Sequence, residues 1–333
     1  MVTIPIFTSI KAMRSFSTIF LLLIGLSVIG QSNIVVVSYN VENLFDALTD
    51  STSNYTEFNP GEKKDWNEFR LRAKVNAIAK TLTACHDSMP HFVGLMEIEN
   101  RSVLEQLCKH PLLAKEKYEI IHFDSPDHRG IDVAFLFKRD RFNLLNMRAF
   151  KADFSEQTRD QLWVRGILNQ TQDTLNFFIN HWPSRYGGKR ASEKNRLAAA
   201  KQLKTEIDSI GYLNPNEYLI ALGDFNDNPG DTSIRYLTSS PKYWNAFQDS
   251  TFEIGSLKYR KNWQLFDQFI LSQNLKTSKG LSFKSVQIFQ SEHLLEEDAT
   301  YGGWKPHRTY QGPIHRGGPS DHLPVVLVLE KKP

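Results

Sequence analysis

Tyr218-Leu219-Ile220-Ala221-Leu222-Gly223-Asp224-Phe225-Asn226 is an apolar run that ends abruptly in a carboxylate and an amide. Near-continuous apolarity of this length is what a strand covered on both faces looks like. A polar group inside such a strand would lack a partner, so it emerges where the strand leaves the core. Three more runs read the same way: Ile34 to Tyr39 closes on Asn40, His91 to Met96 on Glu97, and Leu175 to Ile179 on Asn180-His181. A fifth polar group, Ser320-Asp321-His322, precedes a last strand from Pro324 to Leu329. Carboxylates, amides and imidazoles leaving one sheet edge together have the chemistry of a metal-assisted phosphoester hydrolase.

Helical patterns alternate with these strands. Leu71, Val75, Ile78 and Leu82 recur at helical spacing, with Arg70, Arg72, Lys74 and Lys80 mostly on the other side. A second helix starts after Asn100, a good N-cap, and buries Val103, Leu104 and Leu107; a third carries Leu197, Ala200, Leu203 and Ile207. Further strands are expected over Ile131 to Phe137, after the turn Pro126 to Gly130, and over Phe266 to Leu271. Asp46 to Trp66 has no period and reads as a surface loop. The alternation in both halves of the chain predicts an α/β sandwich with helices outside sheets.

Lys11 and Arg14 precede an apolar segment, Ile19 to Ile29, too short to span a bilayer. Residues 1–30 therefore read as a secretory signal cleaved near Gly30, an uncleaved N-terminal anchor helix being the alternative, with Met13 an alternative start to Met1. Residues 31–333 are expected to form a single domain, secreted or periplasmic, without stable membrane association once the signal is removed. The balance of 40 Lys plus Arg against 37 Asp plus Glu is nearly even, so attraction to a polyanion must be local, and no protein partner is expected. Cys85 and Cys108 each close a predicted helix flanking the strand that ends at Glu97; a disulfide and two buried thiols are both compatible with that spacing.

Glu97 is a candidate ligand for a hard divalent cation, Mg²⁺ or Mn²⁺; capping of the following helix is the bland alternative, and it suits Glu99. Asp224 and Asn226, two residues apart, can address one small group: Asp224 the attacking water, Asn226 a phosphoryl oxygen. Asn40 and Glu42 leave the first strand on one face and could bracket phosphate and metal. Asp267 is a candidate to hold the second ring nitrogen of His322, and His181 to bind phosphate or protonate the leaving oxygen. Arg185, in the loop after His181, and Arg308, in a loop that interleaves aromatics with cations from Tyr301 to Tyr310, are expected substrate contacts. Lys189, Arg190, Lys194 and Arg196 make a local basic patch that fits a polyanion or a solvated helix face. The 301–310 loop suits stacking of single-stranded nucleic acid, or packing by its own aromatics.

The segments Ser38-Tyr39-Asn40-Val41-Glu42-Asn43-Leu44-Phe45, Val93-Gly94-Leu95-Met96-Glu97, Asn180-His181, Gly223-Asp224-Phe225-Asn226, Phe266-Asp267-Gln268-Phe269 and Ser320-Asp321-His322 stand in the order used by the endonuclease/exonuclease/phosphatase superfamily, which the chain resembles over nearly all of residues 31–333. The resemblance implies a four-layer sandwich of two mixed β-sheets flanked by helices, with one or two Mg²⁺ or Mn²⁺ ions. It places Glu97 on the metal with Glu42 and Asp321 near it, Asp224 on water, Asn226 and Asn40 on phosphate, and Asp267 with His322 as an oriented pair. His181 is similar to the histidine of pancreatic-type deoxyribonucleases, where abasic-site endonucleases carry tyrosine, and the run from Asn180 resembles secreted bacterial nucleases. The expected activity is an exported phosphodiesterase, an endonuclease on DNA or RNA. A phosphatase or a sphingomyelinase-type phospholipid diesterase would use the same set, and a catalytically silent binding module would have no need of it.

Overall fold

The four apolar runs become the central strands of two six-stranded sheets. The computed structural model describes residues 33–49, 55–151, 157–248, 253–277 and 280–332; the expected export signal lies outside them. The first sheet contains β1 (Ile34–Leu44), β2 (Phe92–Ile98), β3 (Tyr118–His122) and β4 (Asp132–Lys138). The second contains β5 (Phe142–Phe150), β6 (Gln161–Leu168), β7 (Thr174–His181), β8 (Tyr218–Asp224), β9 (Tyr243–Asn245) and β10 (Asp267–Ser272), and the chain then returns to the first with β11 (Leu281–Ile288) and β12 (Val325–Lys331). The orders are β11-β12-β1-β2-β4-β3 and β5-β6-β7-β8-β10-β9, both mixed: β1 with β2 and β7 with β8 run parallel, their other neighbours antiparallel.

The strand period of two builds three cores. Ile34 and Val36 on β1, Phe92 and Met96 on β2, Leu175, Phe177 and Ile179 on β7, and Ile220 and Leu222 on β8 meet between the sheets. The alternate residues Val35, Val37, Val93 and Leu95 face α1 (Glu68–Ala84) and α2 (Arg101–Cys108). Phe178, Leu219 and Ala221 face α3 (Lys189–Leu213) and α4 (Thr232–Leu237). The result is helix, sheet, sheet, helix: the α/β sandwich that the alternation predicts, in the four layers that the family resemblance implies. Gly94 lets the layers close up, because a Cβ there would lie 2.5 Å from Leu222 Cδ1 across the interface.

Asn67 and Asn100 cap α1 and α2, each side chain accepting from the N–H three residues on. Cys85 and Cys108 are free thiols, and burial pushes both up to about 12. The stretch expected as a surface loop, Asp46 to Trp66, is instead partly core: Phe58 stacks on Phe45 and meets Trp66 and Tyr310 edge-on. Isolated aromatics without a period gave no signal of that burial. Among the described residues no helix is long and apolar enough to cross a membrane.

Candidate active site

The same alternation that builds the inter-sheet core aims the functional groups. Continuing Ile34 and Val36 along β1 brings Asn40 to the inner face; continuing Ile220 and Leu222 brings Asp224; continuing Phe177 and Ile179 brings His181; and Phe269 and Leu271 share their face with Asp267. These ends face one another across the top of the sandwich. Asn40 Nδ2 donates to Asp224 Oδ2 at 3.0 Å, from one sheet to the other, and lies 3.4 Å from Glu97 Oε1.

Glu97 reaches this face by a break in its strand. By alternation it would follow Val93 and Leu95 toward the helices, but the β2–β4 register shifts between Met96 and Ile98 and Glu97 has φ 67°. The bulge turns its carboxylate into the cleft and returns Ile98 to the helix-side core. β1 breaks likewise at Glu42 and Asn43, with φ 48° and 58°. Gly223, at φ 136°, allows the Asp224 turn, since a Cβ there would strike the Asn180 carbonyl oxygen at 1.9 Å.

Asp224 is the hub of the cleft. Its Oδ2 has His181 Nε2 at 3.6 Å and His322 Nε2 at 3.8 Å, and its Oδ1 accepts the Asn226 N–H at 2.9 Å. Burial pushes the carboxyl up to about 6, against the opposing pull of His322. His322 Nδ1 sits 2.6 Å from Asp267 Oδ2. Burial favours the neutral ring, yet Asp267, Asp224 and Asp321 overcome it and hold the imidazole well above its usual range. His181 goes the other way: burial, with Arg159 and Arg129 beside it, holds it well below the usual histidine value. Two buried imidazoles in one site are thus set to opposite charge states.

Not every expected residue is free to act as the sequence suggests. Arg185 is not open to substrate: its guanidinium donates to the Asn226 carbonyl, Asp227 and Asp231 and lies 4.5 Å over the Phe266 ring. Arg196 leaves the basic patch altogether, fully buried 2.8 Å from Asp227, and Lys189 pairs with Asp231 at 2.5 Å. Asn226 donates one amide hydrogen to the Trp182 carbonyl at 2.9 Å, which holds the loop after β7. Of the expected metal ligands, Glu42 accepts the Thr309 and Tyr310 N–H groups and Asp321 is paired with Arg308. Glu99 does not cap α2; it accepts the Asp46 N–H at 2.6 Å.

Three supporting groups escaped the sequence reading. Arg159, buried, bridges Asp127 at 3.0 Å and the Trp182 carbonyl at 2.8 Å behind His181. Asp127 lay in a run that reads as a turn. Lys74, buried on α1 although its sequence places it among solvated cations, donates to the carbonyls of Glu42 at 2.7 Å and Pro319 at 3.3 Å and to Thr309 Oγ1. It ties the break in β1 to the segment carrying Arg308 and Asp321. Only the third dimension brings these together, although the spacing of Lys74, three residues after Leu71 and four before Ile78, does put it on the apolar face of α1.

A cavity of about 1160 Å³ opens over these groups, lined by Glu97, His181, Asp224, Asn226 and His322, with Lys64, Arg129, Lys194 and Arg308 around them. A sequence profile of the endonuclease/exonuclease/phosphatase family matches residues 35–331. The chain belongs to that family. No curated protein matches it. Among solved structures it is similar to a family protein from Bacteroides thetaiotaomicron, 17% identical, covering 90% of this chain and 98% of that one at a TM-score of 0.61. A mannosyl-6-phosphatase of the same organism is 17% identical over 89% and 99% of the two chains, TM-score 0.60. The catalytic domain of human nocturnin is 18% identical over 90% and 95%, TM-score 0.59. At such identities the likeness is one of fold.

Members of this family are phosphoester hydrolases that generally depend on a divalent metal. Donor chemistry decides which residue here fits one. Glu97 meets Asn40 Nδ2, His181 Nε2 and Arg129 Nη2 only at 3.4, 3.8 and 3.9 Å, so its carboxylate oxygens face the cleft without a short cationic partner. Hard oxygen ligands of this kind suit Mg²⁺ or Mn²⁺. Glu97 therefore fits the ion, with Glu42 and Asp321 held behind it by their own partners. His122, Asp124 and Asp132 offer ligand atoms within 4.8 Å of one another elsewhere, but Asp132 already accepts from Ser125 and Asp124 is exposed.

Proposed function

We propose that this family member is an exported, Mg²⁺- or Mn²⁺-dependent phosphodiesterase that cleaves DNA or RNA internally by in-line attack of water. The observation that carries the reading is the convergence on Asp224 of one amide and two imidazoles in opposite charge states. Asp224, raised toward neutrality, accepts the proton of the attacking water. The His322 imidazolium, kept charged by Asp267, donates to the phosphoryl oxygens as negative charge develops on them. His181, held neutral, positions the phosphate through Nε2 and is not an acid near pH 7. Asn40 orients Asp224 and Glu97 together. Glu97 would hold a divalent cation, which when bound would supply charge neutralisation at the phosphoryl group.

A polynucleotide suits the cleft better than a single phosphoryl group does. Its volume exceeds what one phosphate needs, and Lys64, Arg129, Lys194 and Arg308 are spread around its lining where successive phosphates would lie. A second reading, monoester hydrolysis, is favoured by the fold shared with a mannosyl-6-phosphatase. Purified protein with Mg²⁺ or Mn²⁺ should nick plasmid and degrade RNA or single-stranded DNA, and Asp224→Asn should abolish this. Turnover of mannose 6-phosphate or sphingomyelin with every polynucleotide left intact would reject the nuclease reading.

A further inference from the structure

Beside the catalytic cleft runs a second groove of about 920 Å³, sharing Ser184, Tyr186, Arg308 and Asp321 with it. Three segments far apart in sequence build it: Ser184 to Lys189 after β7, the hairpin around Leu257 to Gln264, and Lys305 to Gln311. Its chemistry differs from that of the cleft. Tyr186 is 94% exposed and Tyr259 61%, while Leu257 and Pro306 lie between polar neighbours. Both rings stand on the lining of the groove with most of their surface open. The backbone around Tyr186 has no side chains to cover it, since Gly187 and Gly188 follow at φ 76° and 109°.

Five of the six charged residues lining this groove are cationic, and the sixth, Asp321, is paired with Arg308. Lys189 and Arg308 are the most exposed of these cations, whereas Arg185 is tied to Asp227 and Asp231 and Lys258 is buried against Asp298. Phe266 is already covered by Arg185, and Arg260 lies 5.4 Å over the Tyr259 ring, so cation and aromatic face already pair here. Flat rings beside a cationic track, continuous with a site that cleaves phosphodiesters, match one ligand chemistry: a strand with nucleobases on one side and phosphates on the other.

We propose that this groove is a base-stacking subsite for single-stranded polynucleotide leaving the catalytic cleft past Arg308, with Tyr186 and Tyr259 as its stacking faces. The proposal rests on the polynucleotide reading of the cleft and adds to it a location and two residues. It also divides the two readings of the aromatic loop: Tyr310 packs down into the core, whereas Lys305, Pro306 and Arg308 of the same loop line the groove.

The test is steady-state kinetics of the full chain with Mg²⁺ on an oligonucleotide of about 12 nucleotides and on methyl 4-nitrophenyl phosphate, a diester too small to leave the cleft. Tyr186→Ala and Tyr259→Ala should each raise KM for the oligonucleotide about 5- to 150-fold, the effect of losing one stacked base, with kcat little changed. Tyr→Phe at either position should restore KM, because the ring and not the hydroxyl is used. Tyr259→Ala, outside the cleft, should hydrolyse the small diester like wild type, and far-UV circular dichroism reports that both alanine variants fold. Unchanged oligonucleotide KM in the double alanine variant, with wild type active on it, would overturn the subsite alone. Wild type inactive on every oligonucleotide but active on the small ester would remove the polynucleotide reading and the subsite with it.

Discussion

Asp267 Oδ2 stands 2.6 Å from Nδ1 of His322, both groups are buried, and Asp267 Oδ1 has no hydrogen-bond partner among the described residues. The carboxylate is therefore committed to the imidazole and to little else beside it. Asp267→Asn would keep the shape and remove the charge that keeps His322 protonated. We expect kcat to fall about 10²- to 10⁴-fold with the thermal midpoint nearly preserved. A loss below tenfold in steady-state assays would mean that His322 does not act as a cation in turnover.

Asp224 gives the activity its acid limit. A carboxyl raised by burial to about 6 is protonated, and useless as a base, below that pH. Activity should thus fall as pH drops through about 6 and recover above it, with a slope near tenfold per pH unit in the acid limb. Asn40 donates to the ionised form of Asp224 and so lowers its pKa. Asn40→Ala should shift the acid limb of the kcat/KM profile to higher pH; a limb that stays in place or moves down would contradict this role for Asn40.

Glu97 is the carboxylate that fits the metal, so its replacement should act through metal affinity. Glu97→Gln keeps the size and the acceptor oxygen but removes the charge. The Mg²⁺ concentration for half-maximal activity is expected to rise at least about tenfold, and a chelator to silence the wild type reversibly. Titration of activity with Mg²⁺ reads both, and identical curves for variant and wild type would exclude Glu97 as ligand.

The sheet centres and the positions where polar groups leave them could be read from Tyr218 to Asn226 and its three counterparts, because full burial on both faces leaves a run with no polar interruption. The edge strand β5 could not: Phe142 and Phe150 are buried but most residues between them are exposed, which is neither a buried run nor a clean alternation. The groups proposed as catalytic were legible where they end strands. Their supports were not, since Lys74, Asp127 and Arg159 draw their roles from segments distant in sequence. Arg185 and Arg196 misled for the same reason: a basic run after His181 looks like a phosphate surface until Asp227 and Asp231 are folded against it.

That pairing predicts a stability phenotype where the sequence suggests a binding one. Arg196 is fully buried 2.8 Å from Asp227, with its Nη1 donating to Ser192 Oγ at 2.8 Å. Arg196→Met would fill the space and leave Asp227 short of a buried partner. Urea denaturation should show a loss of about 3 kcal/mol. KM of the surviving folded enzyme should be near wild type, and a KM defect with unchanged stability would return Arg196 to the substrate surface.

His91 sets a second, separate response to acid. Its Nδ1 accepts the Val35 N–H at 3.2 Å between β1 and β2, so the ring is needed neutral, and burial lowers it to about 4. A histidine depressed below its unfolded value near 6.5 contributes stability that is complete above 6.5 and is lost as pH falls toward 4. The shift corresponds to about 3 kcal/mol. His91→Gln retains an acceptor for Val35 but cannot be protonated in this range. Wild type should therefore lose unfolding free energy between about pH 6.5 and pH 4 while the variant stays flatter. Parallel denaturation curves for the two proteins across that window would show that the ring takes up its proton without strain, and that acid sensitivity of the fold arises from another group.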